Sequence, residues 1–268
     1  GGSRMPSLSE QTEGDAGQRE PHGVVAAVDE DQPRAAAFEE IVSGKRRRHP
    51  ADADRRPERG AKGVSLFLVD TASEGFRRGR NLKKVGNKAQ DTAELFFNDV
   101  KVPKENVLGE PGKGFYYLME GLAEERLQGA VGYLASAQLS WQLTADYVSE
   151  RKAFGKPLSA FQNTQFKMAE LRTELDIAQT YVDQCVAAFN AGRLTAVDAA
   201  KAKLYTSELQ VKVAELGVQL HGGHGYMDEY PISRQYTDAK ISTIYAGSSE
   251  VMKIIISRDC LGDDFVPT

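Results

Sequence analysis

A mainly α-helical fold, a four-helix bundle with one extra terminal helix preceded by a partial β segment, is predicted by three observations. The runs 115–152 and 162–190 contain few helix breakers. Within the second run, Met168, Leu171, Leu175, Ala178, Val182, Cys185 and Phe189 recur at alternating steps of three and four, which places them along one side of a helix. Upstream, Val64 to Val69 reads as a strand. The expected organisation is an irregular or disordered segment over 1–60, a partial β-domain over 61–112 and a helical bundle over 113–268.

In chain order, the first sixty residues include KRRRHPADADRRPERG, which has almost no apolar residues and cannot bury enough surface to offset its ordering entropy. After the strand 64–69, a turn is expected over 70–79 and a second strand over 92–97. Helices are then expected over 115–152 and 162–190. The short connection AFGKPLSA, with Gly155 and Pro157 as breakers, makes these two helices antiparallel neighbours. A third helix over 195–220 is apolar on most sides, as a buried member of a bundle would be. Two shorter helices, 231–241 and 247–261, complete the set.

Bulk properties exclude several classes. With 268 residues, 41% hydrophobic and 27% charged, the chain can build a sizeable core. Its net charge of −4 argues against a nucleic-acid partner, which needs a basic face. No run of eighteen apolar residues and no charged-then-apolar N-terminus occurs, so neither a membrane span nor a secretion signal is expected. Cys185 and Cys260 are isolated and lack metal-ligand spacing, which fits a soluble protein of the reducing cytoplasm.

Function is expected where two glycine-rich turns interrupt the helical pattern, between Gln219 and Glu250. In the first, Gln219-Leu220-His221-Gly222-Gly223, the glycines let backbone approach a ligand closely. In the second, Gly247-Ser248-Ser249-Glu250 reads as a helix start with free N–H groups. His221 and His224 superficially suggest a metal pair, but no third ligand stands near and no metal is expected. Glu125, in GLAEERLQGA, lies in a helix with Leu122 and Gly129 on its own face, while Glu124 projects roughly a hundred degrees away.

The phrases KGVSLFLVD, RNLKKVGNKAQDTAELFFNDVKVP and ENVLGEPGKG, the segment SERKAFGKPLSAFQ and the pair QLHGGHGY and IYAGSSE resemble the acyl-CoA dehydrogenase family from about Gly63 to the end of the chain. The resemblance leaves the first half of the family's middle β-domain and its N-terminal helical domain without a counterpart. Most members place the catalytic glutamate just before the glycine of the IYxG turn, where this sequence has Ala246. The isovaleryl and long-chain branch carries it instead on the earlier helix in an ERL sequence, and Glu125-Arg126-Leu127 with Ala246-Gly247 matches that paired arrangement. The resemblance therefore implies FAD-dependent α,β-dehydrogenation of an acyl-CoA thioester, with Glu125 as the base that removes the Cα proton and FAD as the cofactor. It implies FAD contacts at Arg151, Gln162, Gln219, Leu220, His221, Gly222, Gly223, Ser248, Ser249 and Glu250. On the substrate side it implies Tyr116, Ala123, Glu124, Arg126, Ala246 and Gly247, the Ala246 amide meeting the thioester carbonyl. A homotetramer, with electron transfer flavoprotein as electron acceptor, is implied in the same way. The competing readings are an acyl-CoA oxidase-like flavoenzyme and a non-catalytic helical assembly module.

Overall fold

The computed structural model describes the backbone of residues 23–27 and all of residues 64–262. The expectation of disorder over 1–60 falls mostly outside the described residues. Two units are distinguished among them: one takes 23–27, 64–79 and 94–114, the other 80–93 and 115–262.

In the first unit, strand β1 (Gly23–Ala27) pairs antiparallel with β2 (Leu66–Asp70), which pairs on its other edge with the short β5 (Val107–Leu108). Leu66 and Val69 are buried, and β2 begins two residues later than the apolar run suggests. Strand β3 (Phe76–Asn81) pairs with β4 (Ala93–Phe97) in a separate two-stranded sheet. The stretch expected as a turn thus contains the start of a strand. Its polar sequence FRRGRN hides it, because both its faces stay largely in solvent and no apolar alternation is required.

The second unit is built on three long helices: α1 (Gly114–Glu150), α2 (Gln162–Asn190) and α3 (Ala196–His221). Trp141 donates its indole N–H to the Met168 carbonyl, 3.1 Å, and Gln138 donates to Gln179, 2.8 Å, so α1 and α2 run antiparallel. Between α1 and α2 the chain makes a tight hairpin, β6 (Lys152–Ala153) with β7 (Lys156–Pro157). Its two corner residues, Phe154 and Gly155, have φ of 52° and 80°, as a two-residue loop matched to strand twist requires. The seam foreseen on α2 is real over Leu171, Leu175, Ala178, Val182 and Cys185, all buried, whereas Phe189 at its end is exposed.

Helix α3 starts with a capping box, in which Asp198 N–H donates to Thr195 Oγ1 at 3.0 Å and Thr195 N–H to the Asp198 carboxylate. It ends at Gly222, whose φ is 60°. Leu209 and Val213 on α3 join Leu134 and Ala137 of α1 and Leu171, Leu175, Ala178 and Val182 of α2 in one core cluster, while Cys185 packs in a second with Leu127, Ala130 and Ala202. The short helix α4 (Pro231–Ala239) and the terminal helix α5 (Ser249–Leu261) also pack on α3. A 3-10 turn, Lys240–Thr243, replaces the last turn expected of α4.

Position 217 sets how closely α4 and α1 approach α3. A Cβ there would lie 2.6 Å from Ile232 Cδ1 and 2.8 Å from Thr144 Oγ1. Alanine in a helix interior usually gains about 1 kcal/mol over glycine, but overpacking a filled interface costs about 1–3 kcal/mol. Gly217→Ala is therefore expected to destabilise, lowering the urea midpoint without changing the slope of the transition.

Candidate active site

Two groups of side chains in the helical unit carry the chemistry. The first lies where α1 and α3 end. A cleft of about 420 Å³ is lined by Tyr147, Arg151, Leu158, Gln219, Leu220, His221, Gly222, Gly223 and His224. Six of these, Arg151 and the five residues from Gln219 to Gly223, are residues singled out from the sequence. Arg151 directly follows the last residue of α1, and its N–H donates to the Tyr147 carbonyl at 2.8 Å, which keeps it one turn beyond Tyr147. The Arg151 carbonyl accepts from Leu158 N–H at 2.8 Å, which folds the hairpin back onto the helix end. At Gly222 and Gly223 the space a side chain would take is open.

His221 is buried, and its Nδ1 lies 2.7 Å from the Gly217 carbonyl. A carbonyl only accepts, so the hydrogen sits on Nδ1. The ring stacks on Tyr147 at 4.0 Å between centroids. The Tyr147 hydroxyl donates to the His221 carbonyl, 3.1 Å, so His224 Nδ1 is the donor in its 2.9 Å contact with the same oxygen. His224 in turn stacks on Tyr230 at 4.8 Å. Burial pushes the His221 imidazolium below its ordinary range; the Gly217 carbonyl opposes this and His224 adds to it.

The second group surrounds the turn before α5. Ala246 and Gly247 have φ of 52° and 89°, the left-handed region that strains an alanine. A Cβ on Gly247 would lie 2.6 Å from Met252 Cε and 4.0 Å from Arg126 Nη2, so the segment of α1 that carries Glu125 and Arg126 borders this turn. Glu125 is exposed, and its carboxylate leans back along the helix toward Gly121, where a Cβ would stand 3.7 Å from Oε1. The described residues do not supply the dry surroundings that a strongly basic carboxylate needs. Arg126 is buried, with Nε unpartnered among the described residues. Glu124 is exposed and accepts from Gln128, 3.0 Å.

Tyr245, which leads into the turn, meets Tyr133 of α1 at 6.0 Å between ring centroids; burial and the Tyr245 hydrogen bond push the Tyr133 phenol far up. Lys203, fully buried in α3, donates to the Gly247 carbonyl at 2.7 Å. Burial and the neighbouring Arg126 push its ammonium down to about 8, against Glu208 and Glu250. Ser248 caps α5, accepting from Val251 N–H at 3.5 Å. Its hydroxyl also hydrogen-bonds Glu250, which with the backbone amide of Glu250 holds that carboxylate below its usual range. The start of α5 therefore already holds an internal anion. Ser249 is buried with Oγ unpartnered among the described residues.

The remaining residues foreseen from the sequence lie apart from the cleft. Gln162, first residue of α2, is exposed; Ala123 is half-buried; Tyr116 is exposed and meets Phe115 edge-on at 6.1 Å. Sequence reasoning missed Tyr147, Tyr133 and Lys203. Tyr147 could have been found from its spacing to Arg151. Lys203, set among Ala199, Ala200 and Ala202, looks like any solvated helix lysine.

The model of the acyl-CoA dehydrogenase C-terminal domain matches residues 112–261, which is more than half of the chain. The chain belongs to the acyl-CoA dehydrogenase family. It is 47% identical over 213 residues to the mitochondrial long-chain specific acyl-CoA dehydrogenase of Sus scrofa, covering 80% of this chain and 50% of that one. To the mitochondrial isovaleryl-CoA dehydrogenase of Pongo abelii it is 40% identical, over 74% of this chain and 47% of the relative. The crystal structure of an acyl-CoA dehydrogenase from Geobacillus kaustophilus superposes with a TM-score of 0.77 at 46% identity, over 80% of this chain and 56% of that one. The chain spans about half the length of the relatives it matches. Both family traits read from the sequence, the mainly helical fold and the likeness to long-chain and isovaleryl enzymes, are thereby borne out. Among the described residues, no helix is long and apolar enough to cross a membrane.

The buried imidazole sets a pH dependence for this helical unit. Its folded pKa lies below the ordinary 6.5, so the unfolded chain takes up a proton that the folded one refuses. Stability from His221 is complete above 6.5 and is lost as pH falls through and below that value, at up to about 1.4 kcal/mol per pH unit. His221→Phe keeps the stack on Tyr147 and should flatten that part of the acid slope in urea unfolding between pH 7 and pH 5.

Proposed function

We propose that this chain carries out FAD-dependent α,β-dehydrogenation of an acyl-CoA thioester. The observation that carries the reading is the cleft in which Arg151 and residues 219–223 meet. Its residues suit the dinucleotide. Arg151 offers a planar fork to phosphate oxygens, the ring faces of Tyr147 and His224 suit an adenine, and the open backbone at Gly222 and Gly223 permits close approach. The cleft volume falls within the usual range for ligand sites. Gln162 and the residues Ser248 to Glu250 are further contacts in this proposal.

When bound, FAD supplies the two-electron acceptor that takes hydride from Cβ. The chain's own part is proton transfer and charge stabilisation. The Glu125 carboxylate accepts the Cα proton. The Ala246 amide, in a turn whose Gly247 carbonyl Lys203 holds, meets the negative charge that develops on the thioester oxygen. Tyr116, Ala123, Glu124, Arg126 and Gly247 border the acyl-CoA in this proposal.

Self-association into a tetramer and electron transfer flavoprotein as acceptor belong to the same proposal. Exposed apolar residues on several helices, among them Val131, Leu139, Ile177 and Ile254, favour assembly. They equally favour the second reading, a helical assembly module without catalysis. We place the chain in a reducing compartment, in keeping with its unpaired Cys185 and Cys260; the mammalian relatives are mitochondrial by name. The division at residues 60 and 112 is likewise proposed.

Titration with FAD tests this. The dehydrogenase reading expects a bound-flavin spectrum and a raised melting temperature, about 2.7 kcal/mol at a hundredfold excess over Kd. Arg151→Met should weaken the affinity by about tenfold or more. No spectrum and no shift at saturating FAD leaves the assembly module standing.

The base is tested separately in the flavin-loaded chain. Glu125→Gln should retain flavin and lower its reduction by acyl-CoA about a hundredfold or more, while Glu124→Gln changes little. Single-turnover mixing decides it, and equal rates for Glu125→Gln and parent would remove Glu125 from the role.

A further inference from the structure

The mechanism above leaves one buried cation without a task. Lys203 is fully buried and spends its hydrogen bond on a backbone carbonyl, Gly247 O, 2.7 Å away on another element. An ammonium in such a place is costly, and a methionine would fill the same space without the charge. The groups facing it are Arg126 on α1, Glu208 on its own helix and Glu250 on α5. Arg126 is itself a buried cation and repels it; Glu208 and Glu250 attract it, but burial and Arg126 prevail, so the charge is a net cost here.

The turn gives a reason for the lysine. Ala246 and Gly247 both lie in the left-handed region, and such backbone persists only where surrounding contacts over-determine it. No cis peptide bond occurs among the described residues, so the Gly247–Ser248 peptide is trans, with its C=O and N–H pointing in opposite directions. Lys203 draws the carbonyl toward α3. The Ser248 amide must then point away from α3, and no acceptor among the described residues takes it. A charged donor is the stronger grip, because charge-assisted hydrogen bonds are about twice as strong as neutral ones.

We propose that Lys203 is a positioning residue of the Ala246–Ser248 turn: by holding the Gly247 carbonyl it fixes the plane of the Gly247–Ser248 peptide and aims the Ser248 amide outward. The inference rests on the proposed function for its significance, since that turn is the one assigned to the reacting thioester. Lys203 touches no reacting atom and acts only through the turn.

Hydrogen exchange followed by mass spectrometry tests this without flavin or substrate. In Lys203→Met, the hydrogen-bonded amides that frame the turn, Tyr245 on the Ile241 carbonyl and Val251 and Met252 on Ser248, should exchange on the order of tenfold faster at pH 7, the loss expected for one charge-assisted bond. Core amides at 134–144 and 209–217 should keep the parent's rates. Unchanged exchange at 245, 251 and 252 overturns the proposal, and so does uniform acceleration along the chain, which would mark a merely structural lysine.

The parent chain offers a second measurement should Lys203→Met not fold. After correction for base catalysis, protection at 245, 251 and 252 should fall with a midpoint near pH 8 as the ammonium loses its proton. A flat profile between pH 7 and pH 9 overturns the proposal. Because FAD is absent throughout, failure here leaves the flavin reading intact, and failure to bind flavin leaves the lysine's hold on the turn intact.

Discussion

The burial of α3 over most of its surface, leaving one exposed stripe at Tyr205, Glu208, Lys212, Glu215 and Gln219, is the constraint on which the helical unit depends. Ala199, Ala200, Ala202, Leu209, Val213 and Ala214 are all buried, and Gly217 lets Ile232 of α4 and Thr144 of α1 come within van der Waals reach of its backbone. With neighbours on all but this polar stripe, the small residues are what allow several elements to pack on α3 at once. Polar side chains inside this packing are partnered across elements: Gln210 donates to Ser136, which donates to Gln235. These bonds fix the azimuth of α1, α3 and α4 as apolar contact alone would not.

Both candidate regions hang from this one helix. At its C-terminal end, His221 turns inward onto Tyr147 and leaves Gly222 and Gly223 open beside Arg151. Near its other end, Lys203 reaches the turn before α5. The rigid element therefore sets the positions of two irregular segments that could not hold left-handed or open backbone alone. The cleft and the turn are specialised differently: the first offers open backbone and ring faces, the second a strained peptide with buried cations behind it.

Much of the fold was legible because helices of this length announce themselves. The α2 seam from Leu171 to Cys185, Thr195 with Asp198 at the start of α3, and Pro231 at the start of α4 are local signals that survive in the structure. The β6–β7 hairpin and the strand at Phe76 were not legible, the first because it is only two residues a side, the second because it lacks an apolar face. Of the site, the glycine turns and Arg151 stand out by residue type. Their meeting in one cleft depends on where α1 and α3 end relative to each other, a distance of some seventy residues along the chain, as the bond from Tyr147 to His221 illustrates.

By itself the sequence determined the element types, the family and the coupled presence of Glu125 with Ala246, since periodicity, breakers and motif spacing are properties of neighbouring residues. Only the tertiary structure decided that Lys203 is buried on the Gly247 carbonyl, that Arg126 lies beside the same turn, and that Glu125 remains exposed. The reason is physical: a side chain's charge state and partners are set by the elements packed around it, and a lysine in an alanine-rich helix carries no local mark of which neighbour will cover it.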